Sequence, residues 1–583
     1  MGIGAQKTLS QDMGQRVSFM DRVHARLSGM RSQVTGFVYQ PEPRSMGSFA
    51  KGKQLIAGNF QFGGHLIQQP GVALWDLPAP DATFANELMG FGWLDDLAAV
   101  GDGAARKLAQ DWTMRWIAQH GRGKGGGWSP DLTGRRLVRW INHAIFLMNG
   151  QSVENNDKYF RSLAQQTAFL SRRWSMASPG LPRFEALTGL LYAGISLNGV
   201  EHFVEPTAKA LEQECNVEID AEGGLTTRNP EELMEVFTLL CWAELALKDA
   251  GHAPEAGHKA ALERIAPTLR ALRHTDGGLA RFHGGGRGDD GRLDQALANV
   301  DAVTRPSDKL AMGYARLSCG RTSVVADVSA PPKRKSSLNA HASTLAFELT
   351  SARRPVIVNC GSGESFGPDW RRAGRATPSH STVSIDGVSS AKLAAGPDGE
   401  TLTNVPAKVP VQHGSDATGM RIMASHDGYL KDFGLTHVRK LELSADGRVV
   451  TGQDTLGALS DADRVTFEHH MDRIALNGVR FSLRFHLHPD VDASVDMGGS
   501  AISLALKSGE IWVFRPSGTA DMALEPSVYL EKGRLKPRAS QQIVLSSRVM
   551  EYAAQVSWVL AKAQDTPSYL RDFEQDLQLA LDQ

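Results

Sequence analysis

The sequence is poor in the features that mark several common classes of protein. Its 583 residues include only 4 cysteines, with no Cys-x-x-Cys pair, which argues against a disulfide framework and against a thiolate zinc site. The 63 basic residues balance the 64 acidic residues, so attraction to nucleic acid or to an anionic membrane is expected only from local patches. No apolar run approaches the roughly eighteen residues of a membrane-spanning helix.

Two further patterns are absent. The N-terminal residues MGIGAQKTLSQDMGQRVSFMDRV lack the basic start, the continuous apolar run and the cleavage site of a secretory signal, so we expect a cytoplasmic protein. The glycine-rich stretch 274–290 lacks the Gly-x-x-x-x-Gly-Lys pattern of a phosphate-binding loop. We predict that this stretch is a flexible connecting loop, too polar to form a packed element.

From about residue 83 to about residue 298 the chain has the pattern of successive amphipathic helices. Large apolar residues recur at three- and four-residue spacings, and short Gly, Pro and Asn breaks separate the segments. This periodicity allows helical hairpins closed into a toroid and equally allows an open helical solenoid. The clearest of the predicted helices cover residues 158–175, 183–198, 201–216, 230–249 and 257–273.

After about Ser307 the pattern changes to alternation of apolar and polar residues. Short runs of this kind are separated by Asp-Gly and Asn-Gly turns, which predicts an antiparallel β-sandwich. Because 583 residues are too many for one core, we expect at least two domains. The predicted division is an N-terminal segment at 1–45, a helical domain at 46–305 and a β domain at 306–583.

The stretch 339–387 contains the densest set of residues suited to chemistry. Read at strand period, His341 is in phase with the apolar residues of the strand pattern that follows it, which predicts an inward-facing imidazole. A second strand pattern ends at Asn359, and a third opens at His380 and runs to an Asp-Gly turn. A histidine satisfied by one hydrogen bond in the core is the plain alternative. The arginines between the two histidines favour a functional site, because these cations need anionic partners or water.

This stretch resembles the C-terminal domain of the heparinase II/III family of polysaccharide lyases. The family pattern is a His that opens one strand, an Asp that closes the next, and an Arg-rich loop leading to a later His. The resemblance implies an incomplete (α/α) toroid followed by an antiparallel β-sandwich. It also implies a divalent ion, usually zinc, at His341, Asn359 and His380. Because Asn359 stands where the family has Asp, the site lacks one negative charge, and we expect weak metal binding.

The resemblance further implies β-elimination on a uronic-acid polysaccharide. That reaction needs a cation to neutralise the carboxylate, a base for the C5 proton and an acid for the departing oxygen. Imidazole titrates near neutral pH and suits the proton transfers. The predicted catalytic residues are His341, His380 and Arg375. The predicted substrate-binding residues are Arg371, Arg372, Asn339, Trp128, Arg183 and Arg228.

The helical half departs from the family at two places. Arg183 and Glu185 stand near the position of an Asn-His pair, and no tyrosine follows the Gly-Gly turn at 221–224. We predict a lyase that cleaves a uronic-acid-containing polysaccharide or oligosaccharide by β-elimination. The alternatives are a non-catalytic polysaccharide-binding or biosynthesis-associated protein that has lost the usual catalytic tyrosine, and a glycoside hydrolase. Nucleic acid is not an expected partner, and the oligomeric state is undefined. Many members act in the periplasm or cell envelope, which is the alternative localisation.

Overall fold

The computed structural model describes residues 18–29, 34–289, 291–298, 310–396 and 399–566. The chain packs as two compact units. Unit 1 is Met1–Asp220, Glu235–Glu263 and Asp294–Asp301, and unit 2 is Ala221–Met234, Arg264–Leu293 and Ala302–Gln583. The sequence predicts one boundary between the helical and β domains, between residues 305 and 306. In the structure two segments that precede it in the chain, at 221–234 and 264–293, pack with the C-terminal residues.

Among the described residues before 299, the elements are helices and one small hairpin. The predicted helices between residues 158 and 273 are all present, and the one at 230–249 has the predicted bounds. Within the described residues, no helix combines the length and apolar character needed to cross a membrane. The elements are α1 (Phe19–Ser28), α2 (Phe49–Ile56), β1 (Asn59–Phe62), β2 (His65–Gln68), α3 (Ala82–Met89), α4 (Gly92–Val100), α5 (Gly103–His120), α6 (Pro130–Asn142), α7 (Ala144–Met148), α8 (Val153–Arg173), α9 (Leu181–Ser196), α10 (Val204–Glu218), α11 (Pro230–Asp249), α12 (Ala256–Leu272) and α13 (Arg292–Ala298).

Side-chain caps and glycine contacts fix these helices. Asp81, Asp102 and Ser152 accept backbone N–H bonds at the starts of α3, α5 and α8, which satisfies donors that have no partner inside the helix. Helices α6 and α9 cross at Gly134 and Gly189. A Cβ on Gly189 would lie 2.4 Å from the Cα of Gly134, so the two backbones touch. The helical hairpins form the predicted incomplete (α/α) toroid.

The described residues from 310 to 566 form the predicted antiparallel β-sandwich. Its elements are β3 (Tyr314–Cys319), β4 (Thr322–Asp327), β5 (Phe347–Ser351), β6 (Arg354–Val358), α14 (Pro368–Gly374), β7 (Val383–Ile385), β8 (Lys392–Gly396), β9 (Gly399–Thr403), β10 (Val411–Asp416), β11 (Gly419–Tyr429), α15 (Leu430–Phe433), β12 (Leu435–Ser444), β13 (Val449–Gly457), α16 (Asp461–Arg473), β14 (Val479–Leu487), β15 (Val491–Asp496), β16 (Ala501–Leu506), β17 (Ile511–Ser517), β18 (Asp521–Tyr529), β19 (Arg538–Val549) and β20 (Ala553–Gln564).

Two large sheets carry the core of the sandwich. One has the strand order β10-β11-β12-β13-β20-β17-β16-β15, and the other has the order β18-β19-β14-β6-β5-β4-β3 with β7 paired to β14. Aromatic rings from both sheets meet between them. The ring of Phe347 stacks on Trp558 with centroids 5.8 Å apart, and Phe485 packs edge-on against Trp558 at 4.8 Å.

The predicted strand through His341 is wrong, because β5 begins only at Phe347. Leu345 has a φ of 63°, in the left-handed region that a strand does not allow. The backbone near His341 bonds elsewhere, with the Ala342 N–H donating to the Arg375 carbonyl. The strand that ends just before Asn359 is confirmed as β6.

The third strand pattern is confirmed in part. Strand β7 begins at Val383, so His380 lies in the turn before the strand and does not open it. The predicted turn at Asp386 and Gly387 is present, with φ values of 47° and 71°. Both values lie in the left-handed region, as a type I′ hairpin turn requires.

Four carboxylates in unit 2 are at most 3% exposed, and each is bonded to one cation. An unpaired charge in this environment would cost several kcal/mol, so these pairs hold distant segments together. Arg228 also donates to the carbonyls of Met312, Gly313, Ser329 and Ala330. The pairs are Asp327–Arg228 at 2.6 Å, Glu348–Arg281 at 3.2 Å, Asp454–Arg439 at 2.7 Å and Glu510–Lys562 at 3.1 Å.

Replacing Arg228 tests the importance of this pairing. Arg228→Ala leaves the buried Asp327 carboxyl without its cation, and we expect the free energy of unfolding in urea to fall by about 3–5 kcal/mol. The matched control is Arg372→Ala, because the Arg372 side chain pairs with Glu400 while 59% exposed. The free energy of unfolding of this control should fall by less than about 1 kcal/mol. Similar small losses in both variants would contradict the prediction.

Candidate functional site

Three histidines of unit 2 lie together in the interior. The rings of the predicted pair, His341 and His380, have centroids 5.1 Å apart. The third is His283, whose Nδ1 accepts the backbone N–H of His341 at 3.1 Å. The three residues are 3%, 1% and 1% exposed, respectively. We name His283, His341 and His380 the histidine cluster.

His283 comes from the glycine-rich stretch, which is a loop as predicted, but the expectation that it does not pack is wrong. Residues 278–283 are all buried, and glycines with positive φ at 277, 284 and 288 let the backbone fold tightly. His283 itself has a φ of 49°, which is strained for a non-glycine residue. Because its Nδ1 accepts a hydrogen bond, the proton of the neutral ring is on Nε2, 3.5 Å from Asp327 Oδ2.

The carboxylates near the histidine cluster are already bonded to arginines. Glu348 accepts from the Arg281 side chain at 3.2 Å and from its backbone N–H at 3.0 Å. Burial alone would raise the pKa of Glu348, but Arg281 and His274 outweigh it and hold the pKa at about 2. Asp327 accepts from Arg228 at 2.6 Å and from the Ser343 hydroxyl at 2.8 Å.

The histidine cluster is therefore neutral. Burial, together with nearby Arg375 and Arg371, lowers the pKa of His341 to about 3. Burial lowers the pKa of His283 and of His380 well below the usual range, with Arg228 adding to the effect at His283 and His341 at His380. Neither ring nitrogen of His380 makes a well-formed hydrogen bond, although the Gly374 carbonyl lies near enough to favour its charged form slightly.

Asn359 does not complete a metal site with His341 and His380. Its Oδ1 accepts the Ser381 N–H at 3.0 Å, and its Nδ2 donates to Glu348 Oε1 at 3.3 Å. Both ends of the amide are thus bonded inside the protein. Among the described residues, no group of three or more His, Cys, Asp or Glu side chains is placed to hold a metal ion. The residues present do not fit the zinc ion that the family pattern implies.

The predicted arginines of 371–375 bond to the protein itself. Arg375 is 2% exposed and donates to the carbonyls of Ala340, Ser337 and Glu400 at 2.8 to 3.1 Å. Arg371 donates to the Leu338 carbonyl at 2.7 Å and to Asn339 Oδ1 at 3.0 Å, and Arg372 pairs with Glu400. The structure therefore places Arg375 as a brace for the loop before His341, not as a group facing solvent.

The predicted substrate-binding residues of the helical half are also used internally. Trp128 is fully buried, its Nε1 donates to the His120 carbonyl at 2.9 Å, and its ring packs edge-on against Phe169. It is a core residue with no face open to a sugar, which corrects the prediction. Arg183 pairs with Glu214 at 3.1 Å, and Arg228 holds Asp327 as described above.

The sequence reasoning missed the residues that surround the histidine cluster. Arg281, Asp327 and Glu348 were not among the predicted site residues. A signal for the two acids was present, because Glu348 interrupts the buried strand β5 and Asp327 closes the buried strand β4. An acid inside an apolar strand requires a buried partner, which is a reason to search for cations elsewhere in the chain.

Comparison with known proteins identifies the family to which this chain belongs. The sequence profile described as "Heparinase II/III-like, C-terminal" matches residues 302–559. A curated relative, the FtsZ-localized protein C of Caulobacter vibrioides (strain NA1000 / CB15N), is 31% identical over 533 residues, covering 88% of each chain. The chain belongs to the heparinase II/III-like family.

Solved structures agree on the fold of this heparinase II/III-like chain. A crystal structure of heparinase III superposes with a TM-score of 0.69 at 13% identity, covering 93% of this chain and 89% of that one. A mutant of the heparan sulfate lyase HepC from Pedobacter heparinus gives 0.58 at 13% identity, covering 94% and 88%. These neighbours are polysaccharide lyases, and at this identity the likeness concerns the fold alone.

The pKa shift of His341 predicts a pH dependence of stability. The unfolded chain binds a proton near pH 6.5, and the folded ring does so only near pH 3, so protonation favours unfolding between these values. His341→Gln should therefore reduce the loss of unfolding free energy on acidification by roughly 1.4 kcal/mol per pH unit below 6.5. Urea unfolding from pH 7.5 to 4.5 measures this slope. The exposed His413→Gln is the control, and an unchanged slope in His341→Gln would refute the prediction.

Asn359→Asp tests the metal prediction. The substitution removes the hydrogen bond from residue 359 to Glu348 and places a second carboxylate beside that of Glu348. Without metal, we expect the free energy of unfolding to fall by about 3 kcal/mol. Added Zn²⁺ should raise the melting temperature of this variant and not that of the wild type, because the variant regains the missing negative charge. Elemental analysis reports the bound zinc, and the control is the same substitution combined with His380→Ala. Stoichiometric zinc in the wild-type protein would contradict this account.

Proposed function

We propose that this chain is a non-catalytic member of the heparinase II/III-like family that associates with FtsZ, a bacterial cell-division protein. The observation that carries the proposal is the internal use of the predicted catalytic groups. His341 and His380 are buried and neutral, and Arg375 is bonded to three backbone carbonyls. A base with a pKa of about 3 is poorly matched to proton abstraction at neutral pH.

The association with FtsZ is taken from the relative in Caulobacter vibrioides. That protein is named for its localisation with FtsZ, and its similarity to this chain covers 88% of both sequences. The match therefore extends over helical and β regions alike. The same association supports the cytoplasmic localisation expected from the N-terminal sequence.

A second candidate function is β-elimination on an acidic polysaccharide, which the lyase fold and one side chain favour. Glu185 stands near the position of the family's Asn-His pair, and its Oε2 is buried without a hydrogen-bond partner. Burial, opposed by Arg135 at 2.6 Å, raises the pKa of Glu185 to about 7. A carboxyl group with this pKa is suited to general acid and base catalysis near neutral pH.

Two measurements on the full chain separate these functions. The proposal predicts that the protein sediments with polymerised FtsZ and releases no ultraviolet-absorbing unsaturated product from a panel of uronate polymers. The variant His341→Ala, His380→Ala should sediment with FtsZ as the wild type does, since the proposal gives these side chains no chemical step. Thermal unfolding confirms that the variant is folded.

Turnover would support the second candidate. Formation of unsaturated product by the wild type, abolished in Glu185→Gln, would establish a lyase with Glu185 as a proton carrier. The matched control is Glu201→Gln, because Glu201 is an exposed acid of the same helical unit. Absence of sedimentation with FtsZ in the wild type would defeat the proposed association whether or not the protein has lyase activity.

A further inference from the structure

Two basic stretches of the chain meet on the surface of unit 2. They are residues 331–339 and 368–376, and we name the surface that they form the basic face. Together they contain six cations and one acid, although the whole chain is balanced at 63 basic and 64 acidic residues. The exposed cations are Lys333, Arg334, Lys335 and Arg372.

Side-chain bonds hold the two stretches against each other. Arg371 donates to the Leu338 carbonyl at 2.7 Å. Arg375 donates to the Ser337 carbonyl at 2.8 Å. Because these acceptors are not carboxylates, the bonds fix the position of the cations without neutralising their charge. Burial, together with the charges of Arg371 and Arg372, lowers the pKa of Arg375 to about 10.

Two cations of the basic face have no bonded partner. Within the part of the chain that the structure describes, the side chains of Lys333 and Arg334 make neither a hydrogen bond nor an ion pair. Arg372 pairs with Glu400, but the arginine side chain is 59% exposed. Exposed pairs of this kind are weak, because water and salt screen the charges. These three cations are therefore available to an anionic partner.

The turn that presents these cations has an unusual backbone. Arg334 has a φ of 55°, in the left-handed region that is strained for a non-glycine residue. The Ser337 hydroxyl donates to the Arg334 carbonyl at 2.6 Å and accepts the Leu402 N–H at 3.0 Å, which anchors the turn to β9. Strain of this kind persists only where the surrounding structure holds it, and it is concentrated at functional sites. A run of charges that is merely solvated needs no such turn.

An aromatic side chain adds an apolar contact to the basic face. Trp370 is 37% exposed and lies in α14 next to Arg371. Tryptophan and arginine are both enriched at the centre of protein–protein interfaces. The combination of exposed cations and one indole ring suits a protein segment that carries carboxylates and apolar side chains.

We propose that the basic face binds an acidic segment of FtsZ. Carboxylates of that segment pair with Lys333, Arg334 and Arg372, and an apolar side chain packs on Trp370. This inference rests on the proposed association with FtsZ, which makes the anionic partner a protein and not a polysaccharide. The attraction is between exposed charges, so salt weakens the binding.

The test is co-sedimentation of the full chain with polymerised FtsZ over a range of concentrations. Added salt and a short oligoglutamate peptide should each reduce binding of the wild type. The variant Lys333→Glu, Arg334→Glu should bind at least about tenfold more weakly, because two attractions become repulsions. The matched control is Arg480→Glu, Arg515→Glu, which makes the same change in net charge at exposed positions of unit 2. The control should bind as the wild type does.

Three results would overturn the inference. The first is wild-type sedimentation with FtsZ that Lys333→Glu, Arg334→Glu leaves unchanged, which would leave the association standing and put its contact elsewhere. The second is binding insensitive to salt and to oligoglutamate. The third is retention on immobilised heparin that is lost in the variant without any change in sedimentation, which would assign the basic face to a polysaccharide.

Failure of the proposed association itself is recognised separately. If the wild type does not sediment with FtsZ under any of these conditions, the association fails, and this inference fails with it. Thermal unfolding verifies that the variants are folded, as expected for substitutions at exposed positions.

Discussion

Four deeply buried carboxylates of the C-terminal unit are each bonded to one cation, and the arrangement of the site follows from this pairing. Two of the cations, Arg228 and Arg281, come from segments that precede the sandwich in the chain. They hold those segments against strands β4 and β5, which places His283 beside His341. Because Asp327 and Glu348 are already paired with these arginines, burial outweighs their attraction for a proton on the histidine cluster, and the rings stay uncharged.

This charge pairing bears directly on function. Elimination at a uronate requires a cation that faces the substrate and proton carriers that titrate near neutral pH. In this chain Arg375 is bonded to backbone carbonyls, and His341 is neutral down to about pH 3. The fold of a polysaccharide lyase is retained while these groups stabilise the protein itself. A fold of this kind can serve association with other molecules without chemistry.

Much of the architecture was predictable from local pattern. Helical periodicity gave α8 to α12 within a few residues, and alternation with Asp-Gly turns gave the antiparallel sandwich. These features depend on neighbouring residues, since side-chain direction repeats every 3.6 or 2 positions and turn conformation is set by two residues. The approach of His341 to His380 was also predictable, although through the family pattern and not through strand phase.

The use of each charged side chain was decided only by the tertiary structure. Arg228 and Asp327 are 99 residues apart, and no local pattern shows that the arginine would be bonded to this acid and to four carbonyls instead of facing a substrate. The residues that neighbour Trp128 in the sequence do not show whether its ring is buried or open to a sugar. The sequence alone determined the helices and the sandwich, and it showed that no tyrosine follows the Gly-Gly turn at 221–224. Folding determined the partners and the charge states, because burial and Coulomb interactions depend on distances between residues that are remote in sequence.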